Sequence, residues 1–414
     1  MKIAFFSYPF GYAEPPKIGS LAIIAYQLGL RLAAANNEVL FYASKIPHRQ
    51  ELEYSEDGIT YRGIPEFFPD KIISTLLEKL DEWKISHPLR PFFTSILYYF
   101  GFYWQVAKNL KAKKCEVVHI IDVSQAVTLV RFLNPQAKIV LHAETEWLSY
   151  YDQAMIEKRV NQADLVIGCS DYVTDRIRKR FPQLKSATIY NGVDTNYFIP
   201  PTEPKKSSQT GVKQILYIGR ISPEKGIHVL LEAFNQVLAH YPQVQLVLIG
   251  PETAVLQLEM MNQEDPKVQE LAPFCQGEYL AQLKNIISPS AADSVSFLGA
   301  VNYQDLIKYY QETDIFVFPS VWNEPFGMPI VEAMSVELPV VATHGGAFPE
   351  LVDEGKTGLL VERGNAEALA EAMLCLLKDE NLCQEMGKAG RKKVIENFTW
   401  ECISEKLFNL YQDL

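Results

Sequence analysis

Short apolar runs alternate with longer stretches whose apolar residues recur at every third or fourth position, and this alternation holds for most of the chain. In the first half, strand-like runs lie at residues 2–7, 38–43, 116–121, 137–142, 164–170 and 186–190, with helical spacing at 20–35 and 172–181. The runs are continuous and rich in β-branched residues, as strands covered on both faces must be. After residue 212 the alternation restarts, with runs at 214–219, 245–250, 295–299, 315–319, 339–343 and 358–361 and helical spacing at 227–240, 328–336 and 366–377. Strands separated by helices in this way build parallel sheets, so the sequence predicts two doubly wound α/β domains of similar size facing each other. Ligands of such sheets bind beyond the carboxyl ends of the strands, and a cleft between the domains is the expected site.

Three stretches depart from the alternation. Residues 200–211, PPTEPKKSSQTG, combine proline, serine and charge without apolar periodicity and read as the linker. The stretch 251–293 is longer than one turn and helix require, and Met260-Met261-Asn262-Gln263-Glu264-Asp265-Pro266 suggests an excursion with some helix of its own, to which no role is assigned. Residues 91–107 carry no charge and lead into Lys108, Lys111, Lys113 and Lys114. This run is short for a bilayer span and holds Thr94, Ser95, Gln105 and three tyrosines. It reads as a buried amphipathic helix leading into the strand 116–121, with a membrane-surface helix as the alternative.

Composition narrows the class. A chain of 414 residues has the length of two domains, or at most three, and 48% hydrophobic with 21% charged residues supplies full-sized cores and excludes disorder as the main state. A net charge of −11 argues against a nucleic-acid interface but leaves room for a local basic pocket for one small anion. The six cysteines, Cys115, Cys169, Cys275, Cys375, Cys383 and Cys402, form no C-x-x-C pair and read as free thiols of a reducing compartment. The amino terminus enters Tyr8-Pro9 without a cleavage site, so it reads as a first strand rather than a signal peptide, and the expected location is cytoplasmic.

The densest chemistry lies between Phe318 and Met334. A strand ends at Ser320, a loop with two prolines and Gly327 follows, and a helix begins near Pro329, so backbone N–H groups there point at an anion or hydroxyl. Glu324 in the loop and Glu332, read into the first helical turn, have seven residues between them and can reach one cleft. An isolated pair of this kind would equally serve as a solvated or capping pair. The segment Gly219-Arg220-Ile221-Ser222-Pro223-Glu224-Lys225-Gly226 puts two cations at the end of another strand, which invites a diphosphate or else makes a salt-bridged loop. Thr343-His344-Gly345-Gly346-Ala347 ends a third strand in the same manner.

Together these segments resemble the family 4 retaining glycosyltransferases of GT-B fold along essentially the whole chain. The carrying pieces are Gly-Arg…Glu-Lys-Gly, the Glu-x7-Glu motif written Glu-Pro-Phe-Gly-Met-Pro-Ile-Val-Glu, Tyr190-Asn191-Gly192-Val193-Asp194, and Thr399-Trp400-Glu401 before a last helix. The resemblance implies an acceptor-side Rossmann-like domain at 1–200, a linker at 201–212, a nucleotide-sugar domain at 213–398, and a helix at 399–414 that crosses back to the first domain. It implies a hexosyltransferase that draws on a nucleoside-diphosphate sugar, UDP- or GDP-linked, in polysaccharide biosynthesis, with no cofactor and no metal ion. The acceptor would be a glycan, lipid or small molecule, and peripheral contact with the inner membrane face stays open through the run 91–107. Nucleic acid is not among the implied partners, and oligomeric state is not implied.

Roles follow position by position. Arg220 and Lys225 match the cations on the donor diphosphate, Glu332 the carboxylate that accepts the ribose hydroxyls, and Glu324 the acid beside the transferred sugar. Backbone around Phe326, Gly327 and Met328 would contact sugar and phosphate, and Gly299 would lie near the base. His142 matches a histidine facing the sugar, although by itself it would read as a hydrogen-bonded core residue. Pro15-Pro16-Lys17-Ile18-Gly19-Ser20 resembles the glycine-rich loop over the diphosphate, with Gly19-Ser20 where many members carry Gly-Gly. Gly19 is assigned to phosphate, and the plain alternative is a helix start capped by Ser20.

Breaking an anomeric C–O bond puts positive character on the sugar and negative charge on the leaving phosphate, and preorganised cations in a dry cleft stabilise that separation. Glycosidase chemistry also uses two carboxylates, but it has no need of Arg220 and Lys225. A phosphorylase of this fold would need a pyridoxal-phosphate lysine and a longer chain. A nucleotide-sugar epimerase and a non-catalytic sugar-nucleotide or glycan-binding protein are the other readings kept.

Overall fold

The first sheet is built from β1 (Lys2–Phe6), β2 (Glu38–Ser44), β3 (Glu53–Glu56), β4 (Ile59–Ile64), β5 (Val117–Ile121), β6 (Lys138–Ala143), β7 (Leu165–Gly168) and β8 (Ser186–Thr188). This computed structural model describes residues 1–9, 19–44, 52–203, 205, 207, 210–252 and 265–414. The strand order is β3-β4-β2-β1-β5-β6-β7-β8, parallel throughout except for the β3–β4 pair. Every residue of β5 is buried, which accounts for its unbroken apolar run. The helices of this unit are α1 (Ser20–Ala34), α2 (Phe68–Glu82), α3 (Phe100–Lys113), α4 (Ser124–Leu133), α5 (Trp147–Tyr150), α6 (Gln153–Val160) and α7 (Asp171–Arg180).

The second sheet contains β9 (Lys213–Ile218), β10 (Val244–Ile249), β11 (Val295–Gly299), β12 (Ile315–Phe318), β13 (Val340–Thr343) and β14 (Gly358–Val361), all parallel, in the order β11-β10-β9-β12-β13-β14. The chain divides into one unit of Met1–Asn191 with Trp400–Leu414 and a second of Gly192–Thr399. The last helix, Trp400–Gln412, therefore belongs to the first unit. It buries Trp400, Ile403, Leu407 and Tyr411, and Glu401 pairs with Arg31 of α1 at 3.0 Å. In each sheet the strand order reverses beside the first strand, between β1 and β5 and between β9 and β12, and these are the points where such sheets bind ligands.

Three expectations are corrected. The run 91–107 is not one helix: a single turn spans Phe92–Thr94, Tyr99 takes a left-handed conformation, and α3 begins only at Phe100. Two carboxylates impose this break, Asp81 accepting from the Phe92 and Phe93 amides and Asp70 from those of Gly101 and Phe102. The stretch 44–91, to which the periodicity assigns nothing, holds the β3–β4 hairpin and α2. Asp57 and Gly58, both at positive φ (53° and 77°), make its two-residue turn, an Asp-Gly signal legible in the sequence. The 200–211 stretch, partly outside the described residues, is no free linker, since Ser207 is buried and bonds Asp314 at 2.8 Å. As expected, all six cysteines are free thiols, Cys375 and Cys383 lying on two helices, Ala366–Lys378 and Glu380–Asn397, parted at Asp379.

Candidate active site

In the second unit, the ends of β9 and β12 are stitched together by backbone. Val321 and Trp322 amides and the Ser320 hydroxyl all donate to the Glu224 carbonyl, at 2.9, 3.1 and 3.1 Å. The approach is so close that a Cβ on Gly226 would sit 2.1 Å from the Pro319 carbonyl oxygen, so only glycine fits there. This stitching brings Lys225 to Glu324, Nζ to Oε1 at 2.7 Å, and Ser320 Oγ donates to the same carboxylate oxygen at 2.6 Å. Lys225 also stands 5.7 Å from the centre of the Phe318 ring. Arg220 pairs with the buried Glu224 at 3.1 Å while its side chain stays 40% exposed, so the guanidinium still has donors for a ligand. The two cations thus each have a carboxylate, and Glu224, which the motif reading left without a role, is the one that holds Arg220.

The Glu324 loop is held from two further sides. Ala347 N donates to the Glu324 carbonyl at 2.8 Å and Gly346 N to Asn323 Oδ1 at 3.0 Å, which gives the third glycine segment its purpose. Asp265 accepts from Asn323 Nδ2 at 3.1 Å and from Arg363 Nη1 at 2.7 Å, and Arg363 also reaches the Val321 carbonyl at 3.0 Å. The excursion expected at 251–293, whose residues 253–264 lie outside the described ones, therefore props this loop through Asp265. Phe326 is buried, its ring 6.2 Å from that of Phe398. Gly327, at φ 138°, precedes the helix Met328–Ser335, and a Cβ there would press the Phe348 ring at 2.8 Å. Gly299 ends β11 at φ 68° with open space around it, and its carbonyl accepts from Gly250 N at 2.8 Å.

Glu332 is not in the first turn of its helix, which begins at Met328, and it is buried. Its Oε2 accepts from Tyr310 at 2.8 Å, and Tyr303 also bonds the carboxylate. Burial pushes the carboxyl from its ordinary 4.5 up to about 7, against the pull of both hydroxyls. The folded chain thus holds this proton more tightly than the unfolded one. The contribution to stability is fullest below pH 4.5 and is lost as pH rises to about 7, a change of about 3 kcal/mol. Urea unfolding across that range should show a shallower decline for Glu332→Gln than for the wild type, and a parallel decline in both would contradict this account.

In the first unit, His142, the penultimate residue of β6, is fully buried. Its Nδ1 faces His119 Nε2 at 3.1 Å, His119 Nδ1 meets the Tyr411 hydroxyl at 2.6 Å, and His142 Nε2 lies 3.2 Å from Glu144 Oε1. Asn191 donates to Glu144 Oε2 at 2.7 Å. Burial lowers His142 to about 3 and holds His119 well below its ordinary value, so both rings are neutral. Neither His119 nor Tyr411 carried any sequence signal, since their partners lie far apart in the chain.

Asp122, at the end of β5, is a non-glycine residue at φ 61°, a strained conformation of the kind that marks functional positions. Its Oδ1 accepts from the Glu144 amide at 2.8 Å, and burial raises the carboxyl to about 7. With Tyr8, Phe93, Gln125, Trp147 and Arg159 it lines a cavity at the β1–β5 reversal. Gly19 (φ 99°) precedes α1 and caps it, with Ser20 the first helical residue rather than the cap. The loop before it, Pro15 to Ile18, lies outside the described residues. Among the described residues, no three His, Cys, Asp or Glu side chains gather to hold a metal ion.

Two sequence profiles match the chain in succession, that of Glycosyltransferase Family 4 over residues 21–197 and that of Glycosyl transferases group 1 over residues 199–393. Spore coat protein SA of Bacillus subtilis is 28% identical over 324 residues, which is 74% of this chain and 81% of that protein. The alpha-maltose-1-phosphate synthase of Mycolicibacterium smegmatis is 31% identical over 271 residues, 61% of this chain and 64% of its own. The fold is shared with Anabaena HepE, solved in complex with UDP, at a TM-score of 0.71 and 20% identity over 100% of both chains. Two parallel α/β units, a cation pair at the reversal of the second sheet, and profiles that run through both units make this chain a member of the family 4 glycosyltransferases, GT-B in fold.

Proposed function

We propose that the protein moves a hexosyl unit from a UDP- or GDP-linked sugar to a hydroxyl of a glycan, lipid or small-molecule acceptor, with retention at the anomeric carbon and without a metal ion. The carrying observation is the Lys225–Glu324–Ser320 cluster, with Arg220 beside it, at the reversal point of the second sheet. In this reading Arg220 and Lys225 hold the diphosphate and stabilise it as it leaves. The start of the helix Met328–Ser335 offers the backbone amides near Phe326, Gly327 and Met328 to sugar and phosphate. Glu332 accepts the ribose hydroxyls in company with, or in place of, the Tyr310 hydroxyl. Gly299 leaves space for the base, and Gly19 for phosphate.

His142 has no exposed surface and lies against His119 and Glu144 inside the first unit, so in this reading it positions the end of β6 rather than touching the sugar. In this reading the first unit recognises the acceptor, with the half-buried Trp147 as a surface on which a sugar ring can stack. The hydroxyl attacks from the face of the leaving group. Its oxygen bonds to the anomeric carbon as the bond to phosphate breaks, and its proton passes to a phosphate oxygen.

Thermal-shift measurements with UDP, GDP, ADP and their sugar conjugates test the donor reading, because a ligand of the folded state must raise its stability. The UDP complex of HepE makes UDP the first probe. One nucleotide should shift the chain selectively, and Arg220→Ala should reduce that shift only in part, because Lys225 remains, while donor hydrolysis falls about a hundredfold. Proton NMR of the slow hydrolysis should show the sugar released first with the donor's anomeric configuration. The opposite anomer would remove the retaining mechanism, and no shift with any nucleotide would remove the donor class.

A further inference from the structure

Helix α2 meets the protein through Asp70, Ser74 and Leu77 and turns its apolar side to solvent. Phe68, Ile72 and Leu76 on that side, and Trp83 at the helix end, are 75%, 54%, 52% and 67% exposed. The attachment is polar instead: the Asp70 and Asp81 carboxylates cap the segments that start at Phe100 and Phe92, and Tyr98 donates to Glu78 at 2.6 Å. A surface helix normally buries its stripe, and contiguous exposed apolar patches mark contact surfaces. These four side chains offer roughly 500 Å² per copy of the chain, so two such patches together reach the roughly 1,000 Å² that a specific interface needs.

The charges around the stripe select what can cover it. Glu66, Glu78 and Glu82 are exposed, and so are Lys71, Lys79 and Lys84, so the face carries both signs in equal number. A partner surface of one sign gains nothing from such a face, whereas a second copy of it can be complementary. The positions show how. At about 100° per residue, Phe68, Ile72, Leu76 and Trp83 form one stripe, and Lys71, Glu78 and Glu82 all fall on the same flank of it. When two such helices pack antiparallel about a two-fold axis, like flanks meet. An axis beside Leu76 sets Leu76 against its own counterpart, Phe68 against Trp83 and Lys71 against Glu82. Glu78 and Glu82 repel each other at i,i+4 within one copy, and Lys71 of the second copy relieves that repulsion. Lys79, on the stripe itself, lays its hydrocarbon stem across the seam and carries its ammonium toward the same two acids.

We infer that the protein forms a two-fold dimer through α2, the two helices antiparallel, with their apolar stripes facing each other and Lys71 of each copy paired with Glu82 of the other. The contact lies on the first unit and holds whichever sugar and acceptor the enzyme uses. Sedimentation velocity on the full chain at rising concentration should show a monomer–dimer equilibrium. Ile72→Ser with Leu76→Ser should weaken the dimer at least about a hundredfold. Lys71→Glu alone, or Glu82→Lys alone, sets like charges opposite each other twice per dimer and should weaken it about tenfold at low salt. The two charge changes in one chain, or an equimolar mixture of the two single variants, should restore the wild-type affinity. All four positions are exposed, so the nucleotide response and the circular dichroism of each variant should match the wild type and report the donor site and folding separately. A chain that stays monomeric, a dimer that the serine variant leaves intact, or a double charge variant no tighter than the single ones overturns the inference. So does a monomer that co-sediments with phospholipid vesicles and loses that binding in the serine variant, which assigns the stripe to lipid.

Discussion

Lys225→Ala is expected to slow donor turnover about a thousandfold and to cost about 2 kcal/mol of stability. Both effects have one cause. Lys225 and Glu324 are each largely buried and meet at 2.7 Å, so alanine leaves a carboxylate supported by the Ser320 hydroxyl but without its cation. It also removes half of the positive charge available to the leaving diphosphate. Lys225→Arg keeps the charge but not the point-like ammonium over the Phe318 ring, and should recover stability more than rate. Donor hydrolysis and urea unfolding, measured on the same three chains, separate the two contributions. Turnover at the wild-type level in Lys225→Ala would sink the role proposed for the cation pair.

Gly346→Ala is expected to be strongly disruptive, lowering stability by about 3–5 kcal/mol and abolishing the nucleotide response. The residue has φ 60°, and a Cβ would lie 2.1 Å from the Glu324 carbonyl oxygen and 2.4 Å from its amide nitrogen. Neither atom can yield, because the same carbonyl accepts from Ala347 N and the loop is tied through Asn323 to Asp265. Gly299→Ala provides the contrast. That glycine has a similar φ of 68° but nothing within 4 Å, so only the backbone term of about 1 kcal/mol remains. Melting temperatures of the two variants should therefore differ widely, and similar losses in both would mean that backbone conformation, not the close approach, governs this loop.

The two sheets were legible because their central strands are buried on both faces and so write uninterrupted apolar runs, as β5 and β12 do. The β3–β4 hairpin and α2 escaped the same reading for opposite reasons. Residues of β3 are exposed or half-buried and carry little apolar signal, and α2 keeps its apolar residues Phe68, Ile72 and Leu76 exposed while it buries Asp70 and Ser74 with Leu77, the reverse of the pattern that marks a core-facing helix. Asp57-Gly58 offered a signal for the hairpin that rests on turn chemistry rather than hydrophobicity.

At the site the division follows distance along the chain. Local order determined that Arg220, Lys225, Glu324 and Gly327 sit where strands give way to helices, because turns, glycines and helix starts are properties of neighbouring residues. Which carboxylate meets which cation was decided by the strand order β9–β12, which lays two distant loops side by side and joins Lys225 to Glu324. The same holds for Tyr310 on Glu332, Asp265 under Asn323 and Arg363, and Tyr411 on His119. Burial then decided ionisation: Glu332 and Asp122 are raised to about 7 because the packed sheet ends exclude water from them, and no reading of adjacent residues contains that information. Sequence alone determined the fold class and the family, since both rest on periodicity and short motifs, while pairing and protonation arise only when segments far apart in the chain are packed together.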